Sequence, residues 1–328
     1  MATLLEFIRE QCVLAVLESA QSKERPWIRL NSFELTRLPE RLFGIKNIVG
    51  LFLNDNKLNT LPTELLQLQT LEYLAVDNNN LSKLPSPLNN LTNIIFLNLS
   101  YNPMKHLTAE IGNLKNLEVL WINHMGLVAL PPEIRNLQVL NTFGIRGNLL
   151  MQLPEEIGYL GSLRWLTVEN NQVSEVPESF SQLENLIHFN ISKNNIHKIP
   201  TVIAEMKLLQ YCYLRDNFIE EIPVELMKNM KHIKKLDVTG NPLSSLPSEI
   251  EKFPNLWATK TDIMNSEDLN QASESESEDW ENSVASSEID STDASHNDEE
   301  TDDEDQYEPA AFITETLPGL CKFLGSGI

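Results

Sequence analysis

Asparagine recurs along most of this chain at a spacing of 23 residues or its double, at Asn56, Asn79, Asn102, Asn148, Asn171, Asn194 and Asn217, then at Asn241 after one extra residue. Before each stands an apolar pair with one residue between its members, as in Leu51/Leu53, Leu74/Val76, Phe143/Ile145, Leu166/Val168 and Leu236/Val238. A unit this short cannot bury its own apolar face, so the copies must stack on one another into a solenoid. The alternation predicts a short strand with one face inward, and stacked strands form a parallel sheet. Where the chain leaves the sheet, an Asn side chain can satisfy backbone groups buried at the turn. Proline at 39, 62, 85, 131, 154, 177, 200, 223 and 247 opens the outer segment, where a missing N–H is harmless. Apolar residues three apart, such as Ile157, Leu160 and Leu163, then predict a helical or 3₁₀ turn facing inward.

The pattern fits the L-x-x-L-x-L-x-x-N-x-L consensus of leucine-rich repeats. It predicts an α/β horseshoe with a parallel concave β-sheet and about ten repeats, from Trp27 to Leu256. Phe33 and Met125 stand where two repeats should carry Asn, which predicts fully apolar, locally reshaped turns. A terminal repeat exposes one side of its core, so both ends need covers. Residues 3–20 predict a capping helix with Leu5, Ile8, Cys12 and Val16 on the inward line. The stack is expected to end where Thr259 and Thr261 take the places of the next apolar pair. The expected organisation is a capping helix over 1–24, the repeat domain over 25–260, an acidic disordered tail over 261–308 and a short apolar segment over 309–328.

Charge is unevenly placed. The net charge is −22, yet residues 261–308 hold nineteen Asp and Glu and no Lys or Arg, which leaves residues 1–260 near neutral. A body without a basic footprint is not expected to grip nucleic acid. The tail's composition predicts disorder. Ser273, Ser275, Ser287, Ser295 and Thr301 each have an acid three residues on and suit an acid-directed kinase. Beyond the tail, Leu317, Leu320, Cys321 and Leu324 lie on one face of a short helix, which could cover the far end of the stack. The three cysteines are far apart and form no metal or redox pair. Glu6, Arg9 and Glu10 interrupt the first apolar stretch, so neither a signal peptide nor membrane insertion is expected. The expected location is the cytoplasm, with the nucleus open as well.

No phosphate-binding glycine loop, nucleophile elbow or zinc-binding helix is present, His106, His124, His188, His197 and His232 have no Cys or carboxylate partners at ligand spacing, and no cofactor is expected. Chemistry concentrates instead on strand positions that face away from the core, towards the concave side. These are Trp27, Arg29, Phe52, Tyr73, Phe96, Tyr101, Trp121, Trp165, Tyr211 and Tyr213, with Arg146, Lys193, Arg215 and Lys235 adding positive charge. Glu169, Asp216 and Asp237 moderate that charge, and Asp55 and Asp77 lie on the N-terminal half. Trp, Tyr and Arg dominate binding hot spots, so an exposed concave face bearing Arg146, Arg215 and these aromatics predicts a protein partner. The rival expectation is that the aromatics stack sideways and stabilise the sheet.

The 23-residue unit with Leu-Pro after Asn, seen whole in Leu51–Tyr73 and again in Phe143–Leu163, resembles the Ras-group leucine-rich-repeat family, which includes Ras suppressor, Erbin and Scribble repeat domains. The resemblance covers residues 27–256. It implies a non-enzymatic intracellular signalling or polarity scaffold, with a small GTPase or a phosphatase subunit as partner. No PDZ or GTPase domain is expected after the repeats, so the larger members of the group are not matched. The acidic tail supports a second reading, a nuclear protein that binds histones or other basic chains.

Overall fold

The computed structural model describes residues 2–245 and 256–258. An opening helix, α1 (Ala2–Ser22), leads into eleven strands of two or three residues each. They are β1 (Trp27–Arg29), β2 (Gly50–Phe52), β3 (Tyr73–Ala75), β4 (Phe96–Asn98), β5 (Val119–Trp121), β6 (Thr142–Gly144), β7 (Trp165–Thr167), β8 (His188–Asn190), β9 (Tyr211–Tyr213), β10 (Lys235–Asp237) and β11 (Leu256–Trp257). All pair in parallel and in sequence order within one sheet. From β1 to β9 every register step is one repeat, so Ile28, Leu51, Leu74 and their equivalents stack in one buried column. This is the horseshoe leucine-rich-repeat solenoid that the period implies.

The outer side is built from 3₁₀ turns, most of them entered from a proline in extended conformation, as at Pro62, Pro131 and Pro154. Proline fixes φ there and gives up an N–H that the turn does not need. The repeat between Asn217 and Asn241 has one extra residue, and its outer segment is a short α-helix, α2 (Val224–Asn229). A wider turn accommodates the longer segment.

The asparagines join neighbouring repeats. Asn79 Nδ2 donates to Val76 O and Asp77 O in its own turn and to Leu53 O in the repeat before, while its Oδ1 accepts from Leu58 N. Asn56, Asn102, Asn148, Asn171, Asn194, Asn217 and Asn241 each carry a version of this set. Met125 breaks the series as an apolar turn, and two local changes cover the loss. Asn148 Oδ1 accepts from both Met125 N (3.0 Å) and Leu127 N (3.1 Å). One repeat earlier, Met104 N turns back to Asn102 O at 2.8 Å. Pro103 lies between them, as Pro242 lies between Asn241 and Leu243, where the same tight bond recurs at 2.8 Å. At both places proline presets φ for a turn closed by an i to i+2 hydrogen bond.

Two expectations need correction. The inward line of α1 is Val13, Leu17 and Ala20, with Val16 partly buried; Leu5, Ile8 and Cys12 face outward. A helix of 21 residues is about 31 Å long. The residues that bury all lie in its C-terminal half. The count of strands is also one higher than the period gives. Leu256 pairs with Leu236 only twenty residues on, and Trp257 with Asp237, so a further strand arrives ahead of the 23-residue beat. Thr259, Thr261, the acidic stretch with Ser273, Ser275, Ser287, Ser295 and Thr301, and the apolar segment 309–328 lie outside the described residues. No described helix is long and apolar enough to cross a membrane.

Candidate functional site

Each three-residue strand gives its middle residue to the core and its outer two to the concave face, so that face is built of columns one repeat apart. In the N-terminal columns Trp27 packs on Tyr73 (ring centroids 5.0 Å) and Phe52 (6.1 Å), and Tyr73 on Phe96 (6.3 Å). The Arg29 guanidinium lies 5.7 Å from the Phe52 ring centre. The Trp27 indole reaches across β2 because Gly50 has no side chain; a Cβ there would sit 1.9 Å from the ring. Trp121 uses Gly144 in the same way, with a Cβ at 2.0 Å from its ring.

The C-terminal columns form a longer series. Trp165 stacks on His188 at 3.7 Å and 5°, and His188 on Tyr213 at 5.1 Å. Lys235 Nζ then lies between the rings of Tyr213 (5.3 Å) and Trp257 (3.7 Å). The charged groups are matched along the next column. Glu169 is buried and faces Arg146 (3.7 Å) and Lys193 (3.5 Å), and Asn190 donates to it (3.2 Å). Arg215 faces Asp216 (3.3 Å) and Lys235 faces Asp237 (4.0 Å). The surface is therefore close to neutral although four cations line it.

The expected exposure of the aromatics is corrected in part. Tyr73, Phe96, Trp121 and Trp165 are on the concave side but only 6–7% exposed. Parallel strands lie about 4.8 Å apart, which is narrower than an aromatic ring, so neighbouring rings overlap and cover one another. Trp27, Phe52, Tyr211, Tyr213, Arg146 and Arg215 are half-buried, and Arg29 is exposed. Accessible aromatic and cationic groups thus gather towards the two ends of the face. His188 and Trp257 also belong to it. His188 falls one repeat after Trp165, so the period could have found it, whereas Trp257 is off the beat.

Tyr101 occupies a different position. It follows β4 in the left-handed region (φ 55°), in a column with Asp55, Asn78, His124, Gly147, Asn170, Lys193, Asp216 and Gly240, all with positive φ. Such φ values are uncommon for a bulky residue. The ring is exposed and stacks on His124 at 4.6 Å, and Gly147 makes room for that imidazole, since a Cβ there would lie 2.2 Å from it.

Burial sets the proton states. It holds His188 down at about 3, so this ring is neutral, and its Nδ1 has no hydrogen-bond partner among the described residues. Burial, then the Arg146 charge, keeps His124 below the ordinary histidine value. Asp77 is pushed up to about 7 by burial, with the nearby Asp55 charge adding to the rise. The Cys212 thiol, inside the core, is raised by burial. No group of three or more His, Cys, Asp or Glu among the described residues could hold a metal ion. The arrangement offers partly accessible aromatic rings beside paired charges, the chemistry of a protein-binding surface.

Residues 132–212 match the family described as leucine-rich repeat region. Among solved structures, a leucine-rich-repeat protein of Leptospira interrogans is 33% identical with a TM-score of 0.65, over 69% of this chain and 58% of that one. The ectodomain of the plant membrane receptor kinase GASSHO1/SCHENGEN3 from Arabidopsis thaliana, solved with Casparian strip integrity factor 2, is 29% identical with a TM-score of 0.57, over 67% of this chain and 28% of that one. The PEPR1–AtPEP1 structure gives 27% identity and a TM-score of 0.56, over 63% and 30%. The chain spans less than two thirds of each of these proteins. No curated protein matches the sequence. Fold and matches together support the leucine-rich-repeat family, whose members typically serve as protein-interaction modules, and they indicate no catalytic family.

Proposed function

We propose that this protein is a non-enzymatic adaptor of the Ras-group repeat type that captures a folded protein on the C-terminal half of its concave face. The observation that carries this reading is the cluster of Tyr211, Tyr213 and Trp257 with Arg215 and Lys235, which are accessible where the central aromatics are covered. Two of the similar solved structures are complexes by their titles, which favours binding as the use of this fold. By analogy with the Ras group the partner is a small GTPase or a phosphatase subunit in the cytoplasm, and an acid-directed kinase acts on Ser273, Ser275, Ser287, Ser295 and Thr301. Proximity labelling with Tyr213→Ala and Trp257→Ala, beside the natural chain, tests it. A hot-spot loss of about 2 kcal/mol lowers affinity roughly 30-fold, so the main partner should drop out. An unchanged set of partners in both variants, with folding intact by circular dichroism, refutes the reading.

The nineteen acids of residues 261–308 favour a second reading, capture of histones or other basic chains in the nucleus. Such binding weakens steeply with salt, whereas aromatic-anchored binding does not.

A further inference from the structure

α1 has two apolar faces, and the solenoid uses one. At 100° per residue, Val13, Leu17 and Ala20 point to the core, while Leu4, Ile8, Gln11, Cys12 and Ala15 fall in an arc of about 100° on the opposite side. Leu5 and Phe7 flank that arc. Leu4, Leu5, Phe7 and Ile8 are 48–61% exposed, and Cys12 and Ala15 are exposed too. Glu6 and Arg9 lie on the line of the buried side, before Val13, and Glu10 lies beside it. Glu18, held by Arg41 at 2.7 Å, borders the outer stripe beyond Ala15, so from Leu4 to Ala15 the stripe carries Gln11 but no charge. Contiguous exposed apolar patches of this kind mark interaction sites.

We propose that this stripe pairs antiparallel with the same stripe of a second copy of the chain. The size gradient along the helix carries the choice of occupant. Leu4, Phe7 and Ile8 are bulky, and Cys12 and Ala15, further along, are small. An antiparallel copy sets bulky against small twice over through one two-fold axis, as in an isologous dimer. Leu4 then faces Ala15 across the pair and Ile8 faces the flexible side chain of Gln11, which permits the 8–10 Å approach usual for packed helices. A parallel copy would set Leu4 against Leu4 and leave a gap between the two alanines. A bilayer surface is a poor occupant. Helices that lie on membranes carry Lys and Arg on their polar face. Here Glu6, Glu10 and Glu18 outnumber Arg9, which is held by Glu34 at 2.7 Å. Stable interfaces bury roughly 1,200–2,000 Å² in total. A stripe about three turns long offers far fewer side chains than the roughly 20–30 a side of such interfaces, so the dimer is weak and concentration-dependent.

The test is sedimentation velocity of the full chain at physiological salt, from low to high micromolar concentration. The apparent mass should rise from 37.3 kDa towards twice that value. Leu4→Glu and Ile8→Glu should hold it at the monomer while far-ultraviolet circular dichroism and melting stay unchanged, because both side chains are exposed. Leu149→Glu, on another exposed apolar residue, should leave association intact. Ala15→Leu should weaken the pair, whereas strengthening would overturn the antiparallel arrangement. A monomer throughout the range overturns the proposal. So does association that Leu149→Glu abolishes and Ile8→Glu does not.

Discussion

Removing the Asn171 side chain with Asn171→Ala should cost about 2–4 kcal/mol, and the hydrogen bonds around it show why the figure is not larger. Asn171 Nδ2 donates to Ile145 O, Val168 O and Glu169 O, and its Oδ1 accepts from Leu150 N at 3.1 Å. Each of the three carbonyls has a second partner. Ile145 O keeps Asn148 Nδ2 (3.0 Å), Val168 O keeps Asn194 Nδ2 (3.0 Å) and Glu169 O keeps Gly147 N (2.9 Å). Only Leu150 N loses its acceptor, in a residue with no exposure. An unsatisfied buried donor costs about 1–3 kcal/mol, and the small void adds about 1. Asn171→Asp is the informative companion. It restores the acceptor for Leu150 N but aims a buried carboxylate at three carbonyl oxygens. That raises its pKa, so its stability should be better in acid and fall as pH rises towards neutral. Chemical denaturation gives the cost, and hydrogen exchange at the Leu150 amide shows its location. A loss under about 0.5 kcal/mol with unchanged exchange would mean that Leu150 N turns back as Met104 N does, even without a proline before it, and would refute the reasoning.

Gly144→Ala should destabilise by about 1–3 kcal/mol, because its Cβ would overlap the Trp121 ring; a near-ultraviolet dichroism change should accompany the shift in denaturation midpoint. Trp165→Ala should cost about 3 kcal/mol, since the ring is a covered part of the sheet. In that variant the His188 ring, freed of its stacked neighbour, should titrate above about 3 and nearer to the ordinary value by NMR. For Asp77 the folded pKa of about 7 lies above the ordinary 3.8, so the fold prefers the protonated acid. Its contribution to stability is complete below about 4 and is lost as pH rises to about 7. Asp77→Asn should remove that decline and stabilise at pH 8 by at most about 4 kcal/mol, at 1.36 kcal/mol per unit; an unchanged pH profile of the melting temperature would contradict it.

The ten regular strands could be read from the sequence because one apolar pair per repeat fixes both the face and the register. Leu256–Trp257 escaped that reading for the same reason, since a strand three residues early is invisible to a strict period. The capping helix was also legible as a helix, but its two apolar faces compete on paper. The core takes Val13, Leu17 and Ala20, a choice set by where the helix crosses the first repeat. On the concave side, alternation told which way Trp121 and Trp165 point. It did not tell how far they are covered, because that depends on the residue one strand over, as Gly50 and Gly144 show. The gap at Met125 was legible, but Pro103, which helps to mend it, acts through a backbone turn outside the consensus.

The asparagine bonds also govern how such a chain can lengthen or shorten. They join main-chain atoms of adjacent repeats and ignore side-chain identity, so most single repeats could be duplicated or excised without leaving a mismatched junction. The stretch from Asn102 to Met125 differs. Pro103 is fitted to a successor that offers no amide, and Met125 relies on an Asn148 that accepts twice. Here the unit of inheritance is the pair of repeats, and a recombination point between them would strand a backbone amide on one side of the cut.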